Sequence, residues 1–203
     1  MDSREEEWFS WYLEELEQAG YLRWCMYQPT SFELSSPATL LGLSEQRTTK
    51  EVTVHLFKDH KYTADWRIEW NENAEGLFYW QTGRRYKGRF HSFSDKTRAE
   101  YIPFLVYNGM TYVDVKGGFI GRNNTSAVTF PLNQKWVYDK FDQIVQKVVI
   151  SDDTKGLFYR TFTPKKVLES HVYKTDRSAP AGSSKLKYEP ITLEQYAESK
   201  KFL

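Results

Sequence analysis

The spacing of apolar residues in this chain switches from helical to strand-like and back, and the switch decides the fold class before any single residue is weighed. From Ser3 to Ala19 the residues Trp8, Phe9, Trp11, Tyr12, Leu13, Leu16 and Ala19 recur three and four positions apart. A helix is expected there, with Gly20 as its left-handed stop. Tyr21 to Leu34 reads as a strand or extended entry, and Ser35 to Gln46, interrupted by Pro37 and Gly42, has no clear assignment. After Arg47 the period falls to two. Glu51 to Phe57 is β-rich, Lys58-Asp59-His60 is a turn, and Tyr62 to Trp70 alternates, which predicts an antiparallel hairpin. Leu77 to Gln81 is a short strand, and Tyr112 to Phe119 is another, ended by Gly117 and Gly118. Helical spacing returns from Asn133 to Val148, with Trp136, Val137, Phe141, Ile144, Val145 and Val148 on one face and Asn133 as a cap. Short strands are expected at Val148 to Ser151 and Leu157 to Phe162. Helices and strands in this order give an α/β (mixed α+β) class with a central mixed sheet flanked by helices.

Two units of unequal size are expected. Residues 1–173 form the main domain, and 174–203 form a Ser, Ala, Pro and Gly linker followed by a short helix opened by the capping box Thr192-x-x-Gln195. With 40% hydrophobic and 17% aromatic residues, the chain has enough apolar surface to build a core, which excludes disorder throughout. No 18-residue apolar run is present, so no membrane partner is expected. The acidic start Met-Asp-Ser-Arg-Glu-Glu-Glu is unlike a secretory signal, and Cys25 is the one cysteine, so a reducing, cytoplasmic location is expected.

The chemically informative residues are two aspartates within β-forming runs, Asp65 in Tyr-Thr-Ala-Asp-Trp-Arg-Ile and Asp114 in Tyr-Val-Asp-Val-Lys-Gly-Gly. A carboxylate among strand formers is costly to bury alone and needs a partner. If the two strands are neighbours, both carboxylates can face one divalent cation, and Mg²⁺ takes hard oxygen ligands, commonly one or two carboxylates completed by water and phosphate. Lys116 is two residues from Asp114 and so shares its strand face. An ammonium there can hold an attacking water or neutralise a phosphate, which makes Asp65, Asp114 and Lys116 a constellation for phosphodiester hydrolysis. Of four Asp/Glu-x-Lys triplets in the chain, Asp114-Val115-Lys116 alone lies in an apolar strand. The competing reading is a same-face salt bridge between Asp114 and Lys116.

With these residues the chain resembles the PD-(D/E)xK nuclease superfamily, which includes restriction endonucleases and Holliday-junction resolvases. Within it, the resemblance is to small phage and prophage endonucleases of the resolvase-like or transposon-end-cleaving kind. The matching features are Ser3-Arg4-Glu5-Glu6 on an opening helix, Gln28-Pro29, Tyr62-Thr63-Ala64-Asp65, Val113-Asp114-Val115-Lys116-Gly117, and Lys135 on a later helix. They span residues 3 to about 150. The departure is the long stretch between the aspartates, read as a basic and aromatic insertion over about 71–110.

The resemblance implies a restriction-endonuclease-like core and a Mg²⁺-dependent DNA endonuclease, with Mn²⁺ able to substitute. It further implies Asp65 and Asp114 as metal ligands, the Val115 carbonyl completing the shell, Lys116 as the catalytic lysine, and Glu6 orienting a metal-bound water or a second ion. Glu6 shares a helix face with Phe9 and Leu13, while Glu5, over Trp8 and Tyr12, competes for the role, and Ser3-x-x-Glu6 is also a capping box. Lys135 is either a phosphate contact or a solvated helix lysine. A homodimer acting on branched or linear DNA in phage DNA processing or recombination, in the host cytoplasm, is the expectation carried by the resemblance. The rival class is a non-catalytic nucleic-acid-binding or structural phage protein on a degenerate nuclease core, and an RNA-directed nuclease is a third reading.

Charge is distributed to match. The 28 Lys and Arg against 27 Asp and Glu give a net +1 overall, yet residues 1–17 carry −6 and residues 78–98 carry +5. The second stretch interleaves Arg84, Arg85, Lys87 and Arg89 with Tyr79, Trp80, Tyr86 and Phe90. Cations that meet phosphates and rings that stack on bases are the equipment of a nucleic-acid groove, and a hairpin with a solvated basic face is the alternative. The near-zero total thus excludes a uniformly basic coat but not a local one.

Overall fold

The computed structural model describes residues 3–29, 31–44, 50–81, 101–117, 125–151, 156–170, 186 and 188–200. Helix α1 spans Arg4–Gln18. The Ser3 Oγ caps it by accepting the Glu6 N–H at 3.2 Å, and Glu5, Glu6 and Glu7 place negative charge at its positive end. Phe9, Tyr12, Leu13 and Leu16 form its buried stripe, and Gly20 follows at φ 76°, the left-handed turn that glycine adopts without strain.

The central sheet has four strands in the order β1 (Leu22–Tyr27), β6 (Trp66–Trp70), β9 (Thr111–Gly117) and β10 (Val145–Ile150). β6 runs antiparallel to both of its neighbours, β1 and β9, and β10 runs parallel to β9, reached through helix α2 (Thr125–Phe141). The fold is therefore mixed α+β with a central mixed sheet. One sheet face meets α1, where Phe9 and Leu13 pack with Trp66, Ile68, Val113 and Val115. The opposite face carries Tyr112 and Val145 against Val137 and Phe130 of α2 and against Phe32, Tyr62 and Ala64. Strand β9, covered on both sides, is buried from Thr111 to Val115.

Between β1 and β6 the chain makes an excursion of four strands. β2 (Phe32–Ser35) pairs with β5 (His60–Tyr62), and β3 (Ala38–Ser44) pairs with β4 (Lys50–Phe57). The expected hairpin between residues 51–57 and 62–70 is thus absent. β4 finds its partner in the segment that had no clear assignment, with Leu40 opposite Val54 and Gly42 opposite Val52. The run 62–70 is also broken, because the chain bends at Asp65 before β6 begins. Alternation marks a strand but does not name its partner, and the run on the N-terminal side of β4 won the pairing.

The second helix lies earlier than its spacing predicts, at Thr125–Phe141 and not 133–148, and Val145 and Val148 belong to β10. Its stop is tertiary. Asp142 adopts φ 49°, and its carboxylate accepts the Tyr107 hydroxyl at 2.7 Å and an Asn108 side-chain N–H at 3.2 Å. Asn133, expected as a cap, is inside the helix and bonds His60 at 2.9 Å. The expected strand at 157–162 is the single helical turn α3 (Leu157–Arg160), followed by α4 (Lys165–Ser170).

The last helix, α5 (Leu193–Lys200), opens with the anticipated capping box, in which Thr192 N–H donates to Gln195 Oε1 at 2.8 Å and Gln195 N–H donates to Thr192 Oγ1 at 3.3 Å. Tyr196 is fully buried in the main core and donates to the carbonyls of Leu77 and Tyr101. α5 therefore packs as part of the same body. Strands β7 (Tyr79–Gln81) and β8 (Phe104–Val106) form a short parallel pair. No helix among the described residues is long and apolar enough to cross a membrane.

Candidate functional site

Asp65 and Asp114 meet where β6 begins. Trp66 pairs with Val113, so continuing that antiparallel register by one step brings residue 65 opposite residue 114. The strand does not continue. Its place is taken by the Asp65 carboxylate, whose Oδ2 accepts the Val115 N–H at 2.6 Å, a donor that a longer β6 would have met with a backbone carbonyl. The Asp65 carbonyl in turn accepts the Gln28 N–H at 2.8 Å, with Gln28 held at φ 45°. The Gln28-Pro29 entry thus braces the bend that presents Asp65.

Asp114 is 4% exposed, and both of its oxygens are engaged. Oδ2 accepts the Tyr62 hydroxyl at 2.6 Å, and Oδ1 is paired with the Lys116 ammonium. Lys116 shares the Asp114 face of β9, as their spacing requires, and its side chain is 26% exposed. Tyr62 is brought from β5, outside the central sheet. Burial raises the Tyr62 phenol, and the Asp114 charge and hydrogen bond raise it further, so it stays a donor.

The electrostatics bind these groups into one site. Burial first, and then the Asp114 charge, push the Asp65 carboxyl up to about 6. The Val115 N–H bond and the Lys116 charge oppose that rise, and the Glu6 charge adds to it. Glu6 approaches from the α1 face. It is 8% exposed, its Oε1 accepts the Ser3 hydroxyl at 3.1 Å, and its Oε2 accepts the Tyr27 hydroxyl at 2.6 Å. The Gln28 side chain donates to Tyr27 Oη at 3.2 Å, so a chain of contacts runs from Glu6 through Tyr27 and Gln28 to the Asp65 carbonyl. Glu5 lies over Gly117 instead. A Cβ on Gly117 would come within 2.8 Å of Glu5 Oε1, the flexible end of a side chain that can move aside.

Asp65, Asp114, Lys116 and the Val115 backbone are therefore joined directly, and Glu6 is joined through its charge and its tyrosine. Lys135 is apart from them, exposed on α2 in a surface groove of about 600 Å³ with Gln134, Trp136, Tyr138, Asp139 and Ile144. Arg84, Arg85, Lys87 and Arg89 lie outside the described residues. Sequence reasoning gave no role to Tyr62, Tyr27 or Gln28. Tyr62 and Gln28 stand inside the motifs of the resemblance, but a tyrosine three residues before an aspartate does not say which aspartate it bonds.

Among the described residues no group of three or more His, Cys, Asp and Glu side chains is arranged to hold a metal ion. A carboxylate pair remains a sufficient protein donor set for Mg²⁺, which keeps several waters and draws further oxygens from phosphate. The donor chemistry fits: Asp65 and Asp114 supply hard oxygens, and the ammonium of Lys116 already stands on Asp114 as a positive charge. In comparisons with known proteins, no family model, curated protein or solved structure matches the chain.

Proposed function

We propose that the protein is a metal-dependent DNA endonuclease of PD-(D/E)xK type with a restriction-endonuclease-like core. The observation that carries this reading is the meeting of Asp65, at the start of β6, with Asp114 and Lys116 on β9, from segments about fifty residues apart. Chains without such chemistry have little reason to bury an aspartate beside another at the cost of a raised carboxyl.

In this reading Asp65, Asp114 and the Val115 carbonyl hold Mg²⁺ or Mn²⁺. When bound, the cation supplies neutralisation of charge at the scissile phosphate and a lowered pKa of water. Lys116 holds the attacking water in line or meets the phosphate, and Glu6, fixed by Tyr27, orients water from the α1 side. Arg84, Arg85, Lys87 and Arg89 carry DNA phosphates, with Lys135 as an outlying contact. Phage DNA processing, branched substrates and a homodimer belong to the same proposal.

The test is cleavage of plasmid and branched DNA with Mg²⁺ or Mn²⁺ by wild type, Asp114→Ala and Lys116→Ala. Loss of at least about a hundredfold in both variants is expected, since each removes a charge acting on the transition state. Equal nicking by all three would reject catalysis at this site. One observation favours the rival, a non-catalytic nucleic-acid-binding or structural protein: Tyr62 and Lys116 together occupy both oxygens of Asp114. Under that rival, DNA is bound with no metal-dependent cleavage.

A further inference from the structure

The two carboxylates of the site follow one pattern. Asp65 has its Oδ2 held by the Val115 N–H at 2.6 Å, and Asp114 has its Oδ2 held by the Tyr62 hydroxyl at 2.6 Å. Each bond sets the rotation of its carboxylate about Cβ–Cγ, and so fixes where the other oxygen lies. On Asp114 that other oxygen is Oδ1, which the Lys116 ammonium contacts. The aim of the Tyr62 hydroxyl is not left to solvent. Its ring is 9% exposed, packed with Phe32, Ala64 and Tyr112, and its backbone is paired to Phe32 across β2 and β5.

Resting on the nuclease reading above, we propose that Tyr62 is a positioning residue for divalent-cation binding: its hydroxyl pins Asp114 so that Oδ1 is the oxygen offered, and Lys116 holds that oxygen until a cation replaces it. Tyr62 touches neither cation nor substrate. Its contribution is orientation of a ligand, which in metal sites is commonly worth a factor of about 10–100 in affinity. It also ties the site to β5, so the excursion between β1 and β6 supplies part of the metal centre's support.

The test is Mn²⁺ titration of the full chain, read by the electron paramagnetic resonance signal of free Mn²⁺ and independent of cleavage. Tyr62→Phe keeps the ring and deletes the hydroxyl, and is expected to weaken Mn²⁺ binding about 10–100-fold. Phe32→Leu loosens the packing that aims the hydroxyl but keeps the hydroxyl itself, and is expected to weaken Mn²⁺ binding less than Tyr62→Phe does. Lys116→Ala is expected to bind Mn²⁺ at least as tightly as wild type, because it removes a competing cation. Tyr62→Phe within about twofold of wild type, or equal weakening by Phe32→Leu, would overturn the positioning role. Weaker binding by Lys116→Ala would overturn the exchange. If Tyr62→Phe does not fold, 4-fluorophenylalanine placed at position 62 alone fills the hydroxyl's place without a donor and keeps the ring, and an unchanged Mn²⁺ affinity would count against the proposal. Absence of Mn²⁺ binding by wild type and Lys116→Ala alike would remove the nuclease reading itself, and the inference with it.

Discussion

Val115 donates its backbone N–H to the Asp65 carboxylate at 2.6 Å across fifty residues of sequence, and by that bond a side chain stands in for the missing end of a β-strand. A half-buried carboxylate in this position has two claims on it, one structural and one chemical, and stability and cleavage measurements separate them.

Asp65 should make stability depend on pH. Its carboxyl titrates at about 6 in the folded chain, above the ordinary value of about 3.9 expected when unfolded. The folded state therefore binds this proton more tightly. Its contribution is present in full below about pH 4 and is lost as pH rises through about 6, to the order of 2 kcal/mol. Asp65→Asn should flatten that segment of the profile and be more stable than wild type at pH 7. Urea denaturation of both proteins from pH 4 to 7.5 without divalent cations checks it, and parallel profiles would show that Asp65 is not the source.

Removing Lys116 should cost stability whether or not the chain is a nuclease. Asp114 is buried, and without the ammonium its carboxyl is left with Tyr62 as its hydrogen-bond partner. Lys116→Ala should destabilise by about 2 kcal/mol, below the usual cost of breaking a wholly buried pair because the lysine is partly solvated. Asp114→Asn in the same chain should restore most of it. A double-mutant cycle by chemical denaturation measures the coupling, and strict additivity would mean that the pair is not coupled.

The two neighbouring glutamates should separate. Glu6→Gln removes the charge that Tyr27 and Ser3 hold beside the site, while Glu5→Gln alters a side chain resting on Gly117. Under the proposed function, Glu6→Gln should lower the metal-dependent cleavage rate by about tenfold or more, and Glu5→Gln by much less. Single-turnover cleavage at saturating Mg²⁺ distinguishes them, and the reverse ranking would reassign the helix carboxylate.

DNA binding, if it uses the basic stretch, should become less sensitive to salt when that stretch is neutralised. Replacing Arg84, Arg85 and Arg89 together by Gln should reduce the slope of log affinity against log salt by about 2–3, at roughly 0.9 for each phosphate that an arginine had neutralised. Fluorescence anisotropy over a range of NaCl concentrations in Ca²⁺ reads the slope. An unchanged slope would place the phosphate-binding residues elsewhere.

Much of the site could be read locally, and much of the fold could not. Asp114 and Lys116 lie two apart in an apolar run, so a shared strand face follows from strand geometry alone. Glu6, Phe9 and Leu13 share a helix stripe for the same kind of reason, and the Ser3 cap and the Thr192 capping box are short local signals that form as their spacing predicts. Spacing misplaces the second helix because Ile144, Val145 and Val148 satisfy a helical period and a buried strand equally well. Asp142, pinned by Tyr107 and Asn108, settles the matter by ending the helix at Phe141.

What the chain's own pattern determined was an acidic amphipathic opening helix, a strand bearing Asp114 with Lys116 beside it, and a second strand directly after Asp65. Spacing along one element suffices for those. Only the tertiary structure decided that β4 pairs with β3, that β6 stands between β1 and β9, and that Asp65 bends away to take the Val115 N–H. It also decided that Tyr62, from outside the sheet, bonds Asp114 and not the aspartate three residues after it. Each of these outcomes compares partners far apart in sequence, and the winner is set by which apolar faces can be covered at once, a quantity that no local window contains.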